Sequence, residues 1–149
     1  MCKMREILLT LTSKINGLPA LISRITIGFI FIQSGWGKLH HLDKVVQFFT
    51  SLGIPAPRLQ APFVAAVEFG CGTLVLLGLF TRLASIPLIG TMVVAIVTAK
   101  MKDVSDFSDF LSLSEYLFIV LLIWLIIEGA GALSVDYLLA KRCETTDKR

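Results

Sequence analysis

The sequence predicts an all-α membrane protein: four transmembrane helices in an antiparallel bundle, with short interfacial helices. The first observation is composition. Of 149 residues, 55% are hydrophobic and only 17% charged, with a mean hydropathy of +0.80. A soluble domain of this size carries about a quarter charged residues, because it must coat a large surface. The second is the placement of charge. Between Lys14 and Lys38 only Arg24 is charged, between Arg58 and Arg82 only Glu68, and between Arg82 and Lys100 nothing. From Tyr116 to Val135 only Glu128 interrupts the run. The third is the missing alternation of polar and apolar residues that a membrane β-strand would show.

Each apolar window matches the roughly 17–25 residues that cross a hydrocarbon core. The expected spans are Leu18–Trp36, Ala61–Phe80, Leu83–Ala99 and Tyr116–Leu133. Residues 1–17 and 134–149 then form cytoplasmic or interfacial ends of a single membrane domain covering residues 1–149. Glu6–Ile15 places Ile7, Leu8, Leu11 and Ile15 on one helical face, an interfacial pattern. Leu42, Val45, Val46 and Phe49 repeat it before Gly53 and the Pro55–Pro57 turn. In Asp103–Leu113, Phe107, Phe110 and Leu111 alternate with aspartates, which suits a segment dipping into one leaflet. Spans two and three meet so closely at Thr81-Arg82 that they form a hairpin. Trp36 and Tyr116 suit an aromatic belt.

Four spans put both termini on one side. Lys3, Arg5, Lys14, Arg82, Lys141, Arg142, Lys148 and Arg149 lie there, against Lys38, Lys44, Arg58, Lys100 and Lys102 opposite. That bias puts the termini in the cytoplasm. The net charge of +3 reads as an orientation and headgroup signal. With no aromatic platform interleaved, nucleic-acid binding is excluded. Cys2, Cys71 and Cys143 have no ligand or disulfide spacing. His40 and His41 diverge by about 100° on a helix and cannot share a metal. With no histidine inside a span, haem ligation across helices is excluded, and no metal site is expected. No serine triad or phosphate loop is recognisable.

An ionisable residue inside a span is costly unless paired or hydrated, which makes it a functional candidate. Arg24 shares a face of span one with Gly28, Phe31 and Gly35; Glu68 shares one of span two with Ala61, Ala65 and Gly72. Small residues let the two stripes approach. From the expected span ends their axial gap is about 9 Å, so a direct Arg24–Glu68 bridge stays open. The bland reading is a pair that holds the bundle together. The sharper one is an intramembrane polar pocket of Arg24, Gln33 and Glu68, with Ser34 nearby, for a quinone or another small electron carrier. Thr91 and Thr98 add hydroxyls that a backbone carbonyl one turn earlier would satisfy. Lys38, Arg82 and Glu128 read as polar groups at the membrane interface, as does Glu115.

Arg24 with Gly28-Phe29, Gly35-Trp36-Gly37-Lys38-Leu39, Phe48-Phe49 with Leu52-Gly53-Ile54-Pro55, Glu68 with Gly70 and Gly72, and Gly78-Leu79-Phe80-Thr81-Arg82 form an ordered series. It resembles the DoxX family over about Ile22 to Leu133. The resemblance implies a small four-span prokaryotic membrane protein with polar positions at Arg24, Lys38, Glu68 and Arg82. The family takes its name from a subunit linked to thiosulfate:quinone oxidoreduction; for most members the biochemical activity is undefined.

Three functional readings stand at this point. The first is a membrane subunit associated with a quinone-linked oxidoreductase or redox-stress complex, non-catalytic or quinone-contacting, with no catalytic residue, redox centre or covalently bound cofactor of its own. Its partners would be the lipid bilayer and a redox-enzyme subunit. The second is a small transporter or channel-like carrier using Glu68 and Arg24, working as a homo-oligomer. The third is a membrane anchor or assembly factor whose interfacial helices, Leu42–Phe49 among them, recruit a soluble partner.

Overall fold

The computed structural model describes residues 17–101, 104–131 and 134–136. The described elements are all helical. Helix α1 runs Leu18–His40, with Pro19 in the first turn, where its missing N–H costs nothing. The amphipathic α2 follows at Leu42–Ser51. Helix α3 spans Pro57–Leu77 and α4 Thr81–Ala95, which continues as a π-helical turn, Ile96–Lys100. A short α5, Phe107–Leu111, precedes α6, Ser114–Glu128. Among the described residues, three helices are long and apolar enough to cross a membrane: α1, α3 and α4 with its π-turn.

The boundaries depart from the hydropathy windows in ways that matter below. Helix α1 continues past Trp36 and through Gly37 to His40, with no proline to stop it. Helix α3 begins at Pro57 rather than Ala61. It closes in a Schellman motif, with Leu79 N–H on Leu74 O at 2.9 Å and Gly78 N–H on Val75 O at 3.1 Å. Gly78, at φ 70°, supplies the left-handed turn, so the tight connection lies at Gly78–Phe80, just before Thr81. The fourth window fares differently. Gly129, at φ 83°, ends α6 after 15 residues, a length of about 22 Å against a hydrocarbon core of about 30 Å. The expected helix at Leu42–Phe49 is present as α2, and the described part of the Asp103–Leu113 segment contains the short α5. The Glu6–Ile15 segment lies outside the described residues.

Helices α1 and α3 form the most extensive interface, and α4 packs between α3 and α6. Glycine makes the first contact possible. A Cβ on Gly35 would come within 2.4 Å of Phe69 N, and one on Gly28 within 2.7 Å of Leu76 Cβ. A Cβ on Gly72 would meet Phe31 Cβ at 2.8 Å. Moving down α1 therefore means moving up α3, and the two run in opposite directions. The core joins Ile27 and Phe31 of α1, Val75 of α3, Leu88 and Met92 of α4, and Leu122 and Leu125 of α6. Large apolar residues such as Ile22, Phe29, Phe63 and Leu83 remain exposed, as a lipid-facing surface requires.

Candidate functional site: a cavity beside a buried ion pair

Glu68 sits in the middle of α3 and is 1% exposed. A carboxylate at that depth needs a counter-charge. Lys38 supplies it, bonding both carboxylate oxygens. The lysine can do so because α1 continues beyond Trp36, which places Lys38 in its last turn and lets the side chain reach inward. Its own side chain stays 28% exposed, so the pair links the buried carboxylate to the molecular surface. Lys38 is thus no solvated interface residue, and the partner of Glu68 is not Arg24.

Arg24 occupies a different part of the molecule. It is 2% exposed, and its Nη1 donates to Ala130 O at 2.6 Å. The same nitrogen lies against Gly78, where an added Cβ would approach to 2.2 Å. Gly78 is roughly ten residues beyond Glu68, about 15 Å along the helix axis. Asp136 is the nearby negative charge acting on the guanidinium. Its carboxylate also accepts from the N–H groups of Phe80 at 3.0 Å and Thr81 at 3.5 Å, and its N–H donates to Gly78 O at 3.1 Å. This is a structural clasp: one acid caps α4 from a distant chain segment, near the buried Arg24. Arg82, beside it, donates to Ile127 O at 3.3 Å. Arg82, Glu128 and Asp136 line an open depression of about 540 Å³ at this end.

At the other end, Lys38 and Glu68 border a cavity of about 710 Å³, within the range of about 300–1,000 Å³ common for small-molecule sites. Helix α2 contributes Lys44, Val45, Phe48 and Phe49; α3 contributes Phe63, Val64 and Val67; α4 contributes Pro87, Gly90, Thr91 and Val94. The π-turn adds Thr98 and Ala99. The wall is almost entirely apolar. Thr91 and Thr98 turn their hydroxyls to Leu88 O and Val94 O, at 2.8 and 2.7 Å, and Gln60 Nε2 is held by Pro55 O at 2.7 Å. Polar chemistry is left to the Lys38–Glu68 pair and Lys44.

Of the three expected pocket residues, only Glu68 borders this cavity. Arg24 belongs to the clasp, and Gln33 is exposed on α1, about 200° around the helix from the buried Gly35. Trp36 is also exposed and stacks near His40 and Phe69, with ring centroids 4.2 and 5.7 Å away. Among the described residues, no three His, Cys, Asp or Glu side chains gather around a metal position.

A family model described as DoxX matches residues 20–101. The chain belongs to the DoxX family. An uncharacterized membrane protein of Mycobacterium tuberculosis, Rv3486, is 35% identical, covering 90% of each chain. The provisionally named oxidoreductase CatD of Bacillus subtilis is 33% identical over 78% of this chain and 83% of its own. The Escherichia coli inner membrane protein YqjF is 27% identical over 87% of this chain and 98% of its own. No solved structure matches the chain. The matched DoxX segment runs from α1 through the π-turn, so it contains every cavity-lining residue. Ala130 and Asp136, the clasp partners of Arg24, lie beyond it.

Proposed function

We propose that this DoxX chain is a quinone-contacting inner-membrane subunit of an oxidoreductase system, holding the quinone head in the cavity beside Lys38–Glu68. The observation that carries this reading is an apolar cavity bordered by one donor–acceptor pair. An ammonium N–H can donate to the carbonyl of an oxidised quinone, and a carboxylate oxygen can accept from the hydroxyl of the reduced form. The buried pair is neutral as a unit, and apart from the exposed Lys44 the wall is apolar, which suits a ligand arriving from lipid. The relative whose name includes oxidoreductase is consistent with this reading.

In this reading electron transfer falls to a partner enzyme. We place the chain as a four-span bundle with both termini in the cytoplasm, α6 forming the core of the fourth crossing. A carrier in which Arg24 balances Glu68 gains nothing from this geometry, because the two residues serve separate clusters. Nor does a docking role for α2 gain support, since Val45, Phe48 and Phe49 border the cavity.

The test is gentle purification in mild detergent, followed by solvent extraction and chromatography for quinones. The expected result is near-stoichiometric quinone and a co-purifying redox enzyme with the unmodified chain. Glu68→Gln should retain at least tenfold less quinone. Quinone-free protein, or equal retention by Glu68→Gln, overturns the reading.

A further inference from the structure

A glycine inside a membrane helix needs a reason, because alanine in its place is favoured by about 1 kcal/mol. Gly28, Gly35 and Gly72 have one: a Cβ on any of them would strike the facing helix. Gly53, Gly78, Gly129 and Gly131 have another, a positive φ. Gly90 has neither. It is helical, and a Cβ built there would meet nothing within 4 Å. The space in front of it is the cavity itself.

Its level in the membrane is informative. Gly90 lies roughly ten residues beyond the Gly78–Phe80 turn, and Glu68 roughly ten before it. Both stand about 15 Å from the turn along neighbouring helices. Bare backbone of α4 therefore faces the cavity at the depth of the buried carboxylate. Around it, the Thr91 hydroxyl is tied back to Leu88 O, so this stretch of wall offers no competing donor. The result is a stretch of wall without a side chain, lining the same cavity as the donor–acceptor pair.

We propose that Gly90 is the residue that admits the ligand's ring: a planar quinonoid head lies against the α4 backbone at Gly90, its oxygen directed to Lys38–Glu68. This inference rests on the quinone-site reading above and adds its specificity element. A side chain at position 90 would occupy the place of the ring while leaving the helix contacts intact.

The experiment uses the full chain in lipid nanodiscs and a short-chain 1,4-naphthoquinone as probe, with equilibrium binding and thermal unfolding measured together. Gly90→Leu is expected to weaken binding at least tenfold with an unchanged or higher Tm, and Gly90→Ala to fall between it and the unmodified chain. Gly70→Leu serves as the matched control. Gly70 is also helical with nothing within 4 Å of an added Cβ, but it is not among the residues lining the cavity, so binding should not change. If Gly90→Leu binds as the unmodified chain does while Glu68→Gln does not, the role of Gly90 is overturned and the quinone site stands. Equal loss in Gly70→Leu also overturns the role of Gly90. If the unmodified chain fails to bind the probe, both fall.

Discussion

Lys38, in the last turn of α1, holds both carboxylate oxygens of Glu68 in the middle of α3. One partner is almost wholly buried while the other reaches the surface. Removing one member should therefore hurt more than removing both. Lys38→Met strands a buried carboxylate, which costs about 3 kcal/mol or forces it to take up a proton. The double variant Lys38→Met/Glu68→Gln should recover most of that loss. Thermal unfolding of the two single variants and the double in one detergent gives the coupling. Simple additivity would show that the pair is not energetically joined.

The close approach of α1 to α3 makes a sharper prediction about packing. Gly35→Ala places a Cβ where Phe69 N and Ala65 O already stand, at 2.4 and 2.8 Å, and helix backbone cannot swing aside as a side chain can. The expected loss is about 1–3 kcal/mol. Gly37→Ala, two residues away, meets open space and should be neutral or slightly stabilising. A pair of melting curves decides it; equal effects would mean that α1 and α3 do not pack through Gly35.

How far the sequence led is clearest at Arg24 and Glu68. Their cost inside an apolar window marked both as buried and partnered, and both are. Their partners were not legible, because depth was measured from assumed span ends. Extending α1 to His40 brought Lys38 within reach of Glu68, while the antiparallel register carried Arg24 about 15 Å away along α3. Asp136 left no local signal at all: its role depends on a distant segment folding back onto the Gly78–Phe80 turn. Gly90 was equally silent, since hydropathy scores a glycine without asking what faces it. The short α6 follows from Gly129, whose left-handed backbone ends a helix that apolar composition alone would continue.

Threonines in the cavity wall offer a test of which polar groups a ligand meets. Thr91 already donates to Leu88 O, so its hydroxyl proton is committed within the helix. Thr91→Val should leave naphthoquinone affinity within about twofold, whereas Glu68→Gln should lower it at least tenfold. A large loss in Thr91→Val would mean that the hydroxyl turns into the cavity to bind the ligand, relocating the polar contact from α3 to α4.

Asp136 joins two tasks that separate variants can divide. Its carboxylate accepts from Phe80 and Thr81 N–H at the start of α4, and its charge acts on Arg24. Asp136→Asn keeps an acceptor oxygen for the cap but abolishes the charge; Asp136→Ala removes both. Losing a cap costs about 0.5–2 kcal/mol, so Asp136→Ala should be the less stable of the two by about that amount. Asp136→Asn alone reports the charge acting on Arg24, and its effect should shrink when Arg24→Gln is added, because no guanidinium is left to neutralise. Naphthoquinone binding should stay within about twofold in Asp136→Asn, since the clasp and the cavity occupy opposite ends of α3. Thermal unfolding of this series, read beside probe affinity, separates holding the bundle from holding the ligand; a parallel loss of both would show that the two ends of α3 act as one site.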